Sequence, residues 1–195
     1  MNVHTAKLLD QAFTPGQIPN LPYPQIAVLG RSNVGKSSLL ATMMRRKKLV
    51  KVSSRPGKTR GIFFYLVNDA LLLVDLPGYG FSRAPKAVSS QWQSLVESYL
   101  DSGVGPSLAL HLIDIRHPPT KDDITVHGIL TGRRIPGIVV ATKADKLSRS
   151  RRMQSVAVIG RDLGEPSELV IPASAKDSSI SINDLWERIV ENLKI

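Results

Sequence analysis

Apolar positions in this chain fall into short uninterrupted runs, which alternate with longer stretches that place apolar residues on one helical face. Short apolar runs predict buried strands, and the amphipathic stretches between them predict helices. The predicted strands are residues 26–29, 62–68, 71–75, 107–114, 135–141 and 169–172. The predicted helices are residues 37–44, 89–100, 120–130, 149–163 and 179–193. This alternation indicates one α/β domain with a doubly wound, mostly parallel sheet and helices on both faces.

One pair of predicted strands departs from the alternation. Only Asn68, Asp69 and Ala70 separate the second strand from the third, which is short enough for a hairpin. The second strand is therefore predicted to run antiparallel at the edge of a six-stranded sheet. Residues 1–24 are rich in proline, which resists helix formation, and predict an extended N-terminal arm laid over a domain of residues 25–195.

The formal net charge of the 195-residue chain is +10, and its positive charges are concentrated in one interval. No acidic residue lies between Asp10 and Asp69. The same interval contains Arg31, Lys36, Arg45, Arg46, Lys47, Lys48, Lys51, Arg55, Lys58 and Arg60. Charge of one sign without acidic neighbours favours a polyanionic partner, RNA, over a surface that serves solubility alone. Aromatic residues are 5% of the chain, too few for a stacking platform, so contacts to phosphates rather than bases are expected.

Other features of the composition exclude several classes of protein. The chain has no cysteine, which excludes disulfides, thiol catalysis and zinc–cysteine sites. Its four histidines show no metal-ligand spacing and are expected to have structural or surface roles. No apolar run reaches the ~18 residues needed to cross a bilayer, and residues 1–21 lack a segment of signal-peptide type. We therefore expect a monomeric protein of the cytoplasm without a membrane span.

A phosphate-binding loop is the strongest chemical signal in the chain. Residues 30–38, GRSNVGKSS, match the pattern G-x-x-x-x-G-K-S between a predicted strand and a predicted helix. Gly30 and Gly35 allow backbone conformations closed to residues with a Cβ, so that N–H groups can point at phosphate oxygens. The Lys36 ammonium can reach the β- and γ-phosphates, and the Ser37 hydroxyl is placed to bind a bridging Mg²⁺. The predicted phosphate-binding residues are Gly30, Arg31, Ser32, Asn33, Val34, Gly35, Lys36, Ser37 and Ser38.

Two more segments are predicted to complete the phosphate end of the site. Residues 75–78, DLPG, follow a predicted strand and can place Asp75 on a Mg²⁺-bound water and the Gly78 N–H on a γ-phosphate. Residues 43–61 show no periodicity and predict a long loop, in which the Thr59 hydroxyl could bind Mg²⁺ only when a γ-phosphate is present. The loop is thus a predicted switch, and Lys36, Thr59 and Gly78 are the predicted catalytic groups. The nucleotide contacts predicted here are Gly57, Lys58, Thr59, Arg60, Gly61, Asp75, Leu76, Pro77 and Gly78.

Two further segments are predicted to bind a guanine base. Residues 142–145, TKAD, resemble the guanine-specifying N-K-x-D, in which a carboxylate at Asp145 can accept both N1–H and N2–H₂ of guanine. Thr142 replaces the usual Asn, which is expected to weaken the tie between loops rather than the recognition of the base. Residues 174–176, SAK, resemble the segment that backs the guanine with a backbone N–H. The predicted contacts are Thr142, Lys143, Ala144, Asp145, Ser174, Ala175 and Lys176.

In five segments the chain resembles the YihA/YsxC/EngB family of ribosome-biogenesis GTPases, within the TrmE-Era-EngA-YihA-septin-like superfamily. The segments are residues 30–38 (GRSNVGKSS), 56–60 (PGKTR), 75–80 (DLPGYG), 114–122 (DIRHPPTKD) and 142–145 (TKAD). The resemblance implies a P-loop NTPase G domain, a cytoplasmic switch that hydrolyses GTP and acts in late assembly of the large ribosomal subunit. It also implies a link to cell division and septation. The subunit, with its rRNA and ribosomal proteins, would be contacted through a basic surface of Arg45, Arg46, Lys47, Lys48, Lys51 and Arg55.

The catalytic water has no obvious partner in the sequence. Many related GTPases orient it with a Gln directly after the D-x-x-G glycine, where this chain has Tyr79. Because a phenol is a poor substitute, we predict slow intrinsic turnover, accelerated by a partner that orders the switch loops or supplies a group in trans. In cation-activated relatives the residue at the position of Asn33 binds K⁺, which would supply charge stabilisation here. A role for Asn33 in tying the P-loop together is equally compatible with the sequence.

Two other functions remain open from the sequence. One is a nucleotide-gated protein-interaction module at the division site, in which hydrolysis is incidental. Salt dependence distinguishes the two functions, because the affinity for RNA should fall steeply with salt, whereas the affinity for a protein partner need not. The other is a P-loop ATPase or small-molecule kinase, against which Asp145 and the lack of a separate substrate domain argue.

Overall fold

One sheet of seven strands organises the chain in the computed structural model, which describes residues 1–46, 49, 61–80, 86–177 and 182–194, the side chains of 86–92 excepted. The strands are β1 (Ala6–Ala12), β2 (Gln25–Gly30), β3 (Ile62–Val67), β4 (Leu71–Asp75), β5 (Leu108–Asp114), β6 (Gly137–Thr142) and β7 (Val170–Pro172). Their order across the sheet is β1-β3-β4-β2-β5-β6-β7. Pairings from β4 through β2, β5 and β6 to β7 are parallel, whereas β3 is antiparallel to both of its neighbours. The predicted α/β class with a mostly parallel sheet is confirmed.

The N-terminal segment contributes a strand that the sequence did not predict. β1 pairs with the outer edge of β3, with Ala6 opposite Val67 and Ala12 opposite Ile62. The predicted count of six strands is therefore wrong, and β3 is not the edge of the sheet. Most β1 side chains are exposed, so the strand is held through its backbone and lacks the apolar alternation by which a strand is recognised.

Helices cover both faces of the sheet. They are α1 (Lys36–Met43), α2 (Lys86–Leu100), α3 (Lys121–Gly132), α4 (Arg149–Leu163) and α5 (Ile182–Leu193). Leu40 of α1 and Trp186 of α5 pack in one core cluster, against strand residues such as Val28. Tyr99 of α2 belongs to a second cluster, with the neighbouring Leu29 of the same strand, on the opposite face. Successive residues of β2 thus enter different cores, which explains why the whole strand is buried and why residues 26–29 are all apolar.

Parallel pairing brings the segments of the predicted site to one edge of the sheet. The P-loop follows β2, DLPG begins at the last residue of β4, TKAD at the last residue of β6, and SAK follows β7 closely. Because β2, β4, β5, β6 and β7 all run in the same direction, their carboxyl ends lie together. The sheet therefore gathers residues more than a hundred positions apart in the sequence.

Candidate nucleotide-binding site

The two P-loop glycines are required for different reasons. Gly35 is the N-cap of α1 and has a φ of +109°, in the region that favours glycine. Gly30 ends β2 without a positive φ, but a Cβ at this position would lie 2.8 Å from the Leu112 carbonyl oxygen. The expectation that both glycines adopt backbone conformations closed to other residues is thus confirmed for Gly35 and wrong for Gly30. At Gly30 a side chain is excluded because the backbone packs closely against β5.

A buried ion pair joins the P-loop to the end of β4. The Lys36 ammonium at the start of α1 donates to the Asp75 carboxylate, and both residues are buried. Ser37 is the next residue of the helix. The predicted phosphate-binding cation, Lys36, thus lies at the same edge of the sheet as Ser37 and the Asp75 carboxylate.

The DLPG segment runs alongside the P-loop. The Ser32 N–H donates to the Tyr79 carbonyl at 3.0 Å, and the Tyr79 N–H donates to the Gly30 carbonyl at 3.3 Å. A Cβ on Gly78 would lie 3.0 Å from the Ser32 hydroxyl and 3.1 Å from its backbone nitrogen. A side chain on Gly78 would therefore crowd Ser32, because Gly78 lies close against the loop that is predicted to hold the phosphates.

The Tyr79 side chain belongs to a buried polar network. Its hydroxyl donates to Asp123 Oδ1 at 2.7 Å and lies 2.7 Å from His111 Nε2, which in this arrangement donates to it. Burial raises the pKa of Tyr79 well above its usual value, and Asp123 raises it further. The His111 ring stacks on His127 with centroids 5.7 Å apart. Sequence reasoning did not identify this network; the only signal was the spacing of Asp123 three residues after the helix-capping Thr120.

The Thr142 hydroxyl, at the end of β6, connects this strand to the P-loop and to β5. It is 2.7 Å from the Val34 carbonyl of the P-loop and 3.0 Å from the Ile113 carbonyl of β5, so that one hydroxyl proton is shared between two acceptors. Thr142 therefore does tie the loops, through a hydroxyl where the motif usually has an amide; whether this tie is weaker than one from Asn stays a prediction. A hydroxyl reaches both carbonyls because Thr142 is buried and β6 pairs directly with β5 at this position.

Lys143 adds a second tie to the P-loop. Its ammonium donates to the Asn33 carbonyl at 2.6 Å and to Asp114 Oδ2 at 2.8 Å. Its Cε would lie 3.8 Å from a Cβ on Gly35, so the aliphatic stem passes over the last residue of the loop. The stem is therefore in a position to cover a base, as TKAD predicted.

Asp145 is oriented by the segment that follows β7. The Ser174 hydroxyl donates to Asp145 Oδ1 at 2.8 Å, and Ser174 Oγ accepts from the backbone N–H groups of Lys176 and Asp177, each at 3.0 Å. The hydrogen bond from Ser174 lowers the pKa of Asp145, and Lys146, 3.5 Å away, contributes to the same shift. The carboxylate is thus ionised and fixed at neutral pH, as an acceptor for two N–H groups must be.

A cavity of about 500 Å³ connects these parts. Its lining includes Gly35, Ser38, Thr142, Lys143, Asp145 and Lys176. Small-molecule sites commonly occupy about 300–1,000 Å³. The P-loop end and the TKAD and SAK end therefore open into one space of suitable size for a nucleotide.

The remaining predicted residues fall into two groups, those outside the described residues and those described but not lining the cavity. Gly57, Lys58, Thr59 and Arg60, as well as Lys47, Lys48, Lys51 and Arg55 of the basic surface, fall outside the described residues. Gly61 is buried at the start of β3, where a Cβ would meet the Phe13 ring at 2.7 Å. Arg45 and Arg46 are exposed, and Arg46 donates to the His4 carbonyl at 3.0 Å.

The described residues show neither a metal cluster nor a membrane-spanning helix. They contain no group of three or more acidic or histidine side chains that could hold a metal ion. In the same part of the chain, no helix has both the length and the apolar character needed to cross a bilayer.

Comparisons with known proteins agree with this geometry. A family model described as "50S ribosome-binding GTPase" matches residues 25–143. A probable GTP-binding protein EngB of Caldanaerobacter subterraneus subsp. tengcongensis is 43% identical over 193 residues, covering 98% of this chain and 100% of that protein. A probable GTP-binding protein EngB of Geobacillus kaustophilus is 46% identical over 162 residues, covering 83% of each. The crystal structure of a probable GTP-binding protein engB has a TM-score of 0.72 at 28% identity, covering 87% of this chain and 98% of that one. The resemblance stated from the motifs is confirmed: the chain belongs to the EngB proteins of the 50S ribosome-binding GTPase family, and it is a GTPase.

Proposed function

We propose that the chain is a GTP-dependent switch that binds the large ribosomal subunit in the cytoplasm during late assembly of that subunit, with a link to cell division and septation. The description of the matching family model supports the subunit as partner. The observation that carries the switch is the packing of Gly78 on Ser32. A nucleotide held by the P-loop would lie beside this segment, so a γ-phosphate could change how the two segments meet.

In the proposed site, the phosphates lie on residues 30–38 with the Lys36 ammonium, and the guanine lies between Lys143 and Asp145. Ser174 supports this assignment because it fixes the carboxylate that would accept the two guanine N–H groups. Adenine offers no such pair of donors. Exchanging Asp145 for Asn should therefore move the preference from guanine toward xanthine nucleotides, and unchanged GTP affinity would contradict the assignment.

Mg²⁺ fits the oxygen donors at the phosphate end. The Ser37 hydroxyl would bind it directly, Asp75 would bind it through water, and Thr59, outside the described residues, would be a further ligand. Bound there, Mg²⁺ neutralises phosphate charge. The proposed K⁺ site involves Asn33, and a hydrolysis rate that does not change when Na⁺ replaces K⁺ at fixed ionic strength would exclude it.

Intrinsic turnover is proposed to be slow. The phenol of Tyr79, the residue after Gly78, is hydrogen-bonded to His111 and Asp123, and a phenol so engaged is a poor group for orienting water. A partner would have to supply or order the missing group. Single-turnover hydrolysis by the isolated protein at about 1 s⁻¹ or faster, the low end of typical enzymes, would overturn this proposal.

Cosedimentation with purified ribosomal subunits tests the partner. We expect binding to the large subunit and not to the small one, with different affinities in GDP and in a non-hydrolysable GTP analogue, and a steep decrease with salt. The D145N variant should show the same difference in affinity for the large subunit between the diphosphate and the triphosphate analogue when xanthine nucleotides replace guanine nucleotides. A variant carrying Lys47→Gln and Lys48→Gln should bind more weakly than a control with the same charge loss, Lys7→Gln and Arg161→Gln.

Three outcomes would count against the ribosomal switch. Equal affinity for both subunits would indicate nonspecific binding to RNA. Equal affinity in both nucleotides would remove the switch. Nucleotide-dependent capture of a protein, with no binding to either subunit, would favour the alternative of a protein-interaction module at the division site.

A further inference from the structure

The segment after β5 contains an arginine that no part of the proposed site uses. Asp114 is the last residue of β5, and Arg116 follows two positions later. The guanidinium makes a forked contact with the carboxylate: Nε donates to Oδ1 at 2.9 Å and a terminal nitrogen donates to Oδ2 at 2.7 Å. The Arg116 backbone N–H also donates to Oδ1, at 3.2 Å. The two guanidinium contacts fix the plane of the group, and the backbone contact holds the residue beside the same carboxylate.

The same carboxylate holds the lysine of TKAD. Asp114 Oδ2 accepts from Lys143 at 2.8 Å, and Lys143 also donates to the P-loop. Burial by itself would raise the pKa of Asp114, but the hydrogen bonds from Arg116 and Lys143 outweigh it and keep this pKa well below its usual range. Asp114 is therefore an ionised hub at neutral pH, and it sets the positions of two cations at once.

Arg116 extends from this hub to the wall of the nucleotide cavity. It lines the cavity together with Lys143, Asp145 and Lys146, at the base-recognition end. Asp145 is close enough to add to the raised pKa of Arg116, after the larger contribution of Asp114. The side chain is 41% exposed, so the forked contact leaves part of the guanidinium accessible. A planar guanidinium held at its edge is suited to stack on an aromatic base.

We propose that Arg116 contacts the guanosine of the bound nucleotide through the face of its guanidinium, and that Asp114 is the positioning residue for both Arg116 and Lys143. The inference rests on the nucleotide site proposed above. It assigns a binding role to the segment DIRHPP, which the sequence singles out without a function. Arg116 also lines a smaller pocket beside residues 31–34 of the P-loop. We place its contact on the nucleoside rather than on a phosphate because Arg116 shares the larger cavity with Asp145, and Lys36 does not line that cavity.

Calorimetric titration of GDP into the full-length protein tests the contact. Arg116→Ala should raise the Kd for GDP on the order of tenfold, the effect of one cation–π contact. Arg116→Lys should not restore the affinity, because Lys keeps the charge and loses the plane. The matched control is Arg133→Ala: Arg133 makes a similar forked contact with Asp101, at 2.6 and 3.0 Å, and does not line the cavity.

Salt dependence separates the nucleoside contact from a phosphate contact. The loss caused by Arg116→Ala should be the same at 0.1 and about 1 M KCl, since stacking is screened far less than attraction between exposed charges. A loss that disappears at high salt, or full rescue by Arg116→Lys, would assign Arg116 to a phosphate and overturn the proposal. An unchanged Kd in a protein that binds GDP would overturn it as well, whereas failure of the unmodified protein to bind GDP would reject the nucleotide site itself.

A double-mutant comparison tests the positioning role. Asp114→Asn as a single substitution should raise the Kd for GDP. The same substitution in the Arg116→Ala variant should raise the Kd by a smaller factor, because part of the effect of Asp114 passes through Arg116. Fully additive effects would mean that Asp114 does not act through Arg116. Thermal unfolding without nucleotide should give closely similar midpoints for Arg116→Ala and Arg133→Ala, which separates the effect on binding from an effect on folding.

Discussion

The Thr142 hydroxyl lies 2.7 Å from the Val34 carbonyl, and this contact joins the TKAD segment to the P-loop. The same hydroxyl is 3.0 Å from the Ile113 carbonyl. Thr142→Val keeps the shape of the side chain and leaves both buried carbonyls without this donor. We expect a decrease in the free energy of unfolding of about 1–3 kcal/mol, together with faster GDP dissociation. Urea denaturation and nucleotide displacement measure the two effects.

Thr142→Ser is the matched control, because it retains the hydroxyl and removes only a methyl group. It should stay closer to the unmodified protein than Thr142→Val in both measurements. If the two variants behave alike, the hydroxyl does not hold the loops together, and the packing of the methyl group is what matters.

The hydrogen bond from Ser174 to Asp145 predicts a pH dependence of nucleotide binding. This bond lowers the pKa of Asp145, so the carboxylate stays ionised as the pH falls toward its ordinary pKa of about 4. Ser174→Ala removes the largest cause of the shift, and the pKa should rise toward the ordinary value. We expect weaker GDP binding at pH 7.5 and a further loss that begins at a higher pH than in the unmodified protein.

GDP titrations between pH 7.5 and 4 measure this effect. Ser167→Ala is the control, since that serine also donates to a carboxylate, Glu168 at 3.4 Å, on the surface and away from the cavity. Superimposable pH profiles of the Ser174→Ala variant and the unmodified protein would show that the serine does not tune Asp145, the carboxylate proposed to bind guanine.

The buried His111 predicts a loss of stability in mild acid. The pKa of His111 is lowered to about 4, mainly by burial and also by the neighbouring His127, while Asp123 opposes the shift. The unfolded chain takes up a proton near pH 6.5, whereas the folded protein does not until about pH 4. The contribution of His111 is therefore fully present above pH 6.5 and decreases as the pH falls, by about 1.4 kcal/mol per pH unit.

Urea denaturation at pH 7.5, 6.0 and 5.0 checks this slope. His111→Gln should reduce the slope, and His4→Gln, at an exposed histidine, should leave it unchanged. Tyr79→Phe provides a second route if His111→Gln does not fold, because removal of the phenol hydroxyl takes a partner from both His111 and Asp123. It should lower stability by about 1–3 kcal/mol at pH 7.5. A slope that is the same in all four proteins would assign the acid sensitivity to other groups.

From the sequence, the residues of the candidate site were predicted more completely than the contacts that hold those residues in place. Asp75, Thr142 and Ser174 were found because their motifs follow predicted strands, and a parallel sheet brings strand ends together whatever the details of packing. The bond between Tyr79 and His111 joins residues 32 positions apart with no motif in common, so nothing in the sequence pairs them. β1 was missed for a related reason: apolar patterns report burial of side chains, and β1 is held by its backbone.

The Asn68 side chain holds the segment that leads into β1. This residue lies in the turn between β3 and β4 with a φ of +51°, and its Oδ1 accepts from the backbone N–H groups of His4 and Thr5 at 2.8 and 3.1 Å. Its Nδ2 donates to the Asn2 carbonyl at 2.7 Å. Asn68→Gly preserves the positive φ and removes these three bonds, so we expect a loss of about 1–3 kcal/mol and faster hydrogen exchange at the start of β1.

The free energy of unfolding of Asn68→Ala should be about 1 kcal/mol lower than that of Asn68→Gly, because alanine disfavours the left-handed conformation. Asp69→Gly is the matched control: the next residue also has a positive φ, and its side chain makes only an exposed ion pair with Lys7. Exposed pairs contribute little, so this change should leave the exchange of β1 amides as it is. If Asn68→Gly also leaves that exchange unchanged, the pairing with β3 holds β1 without help from the Asn68 side chain.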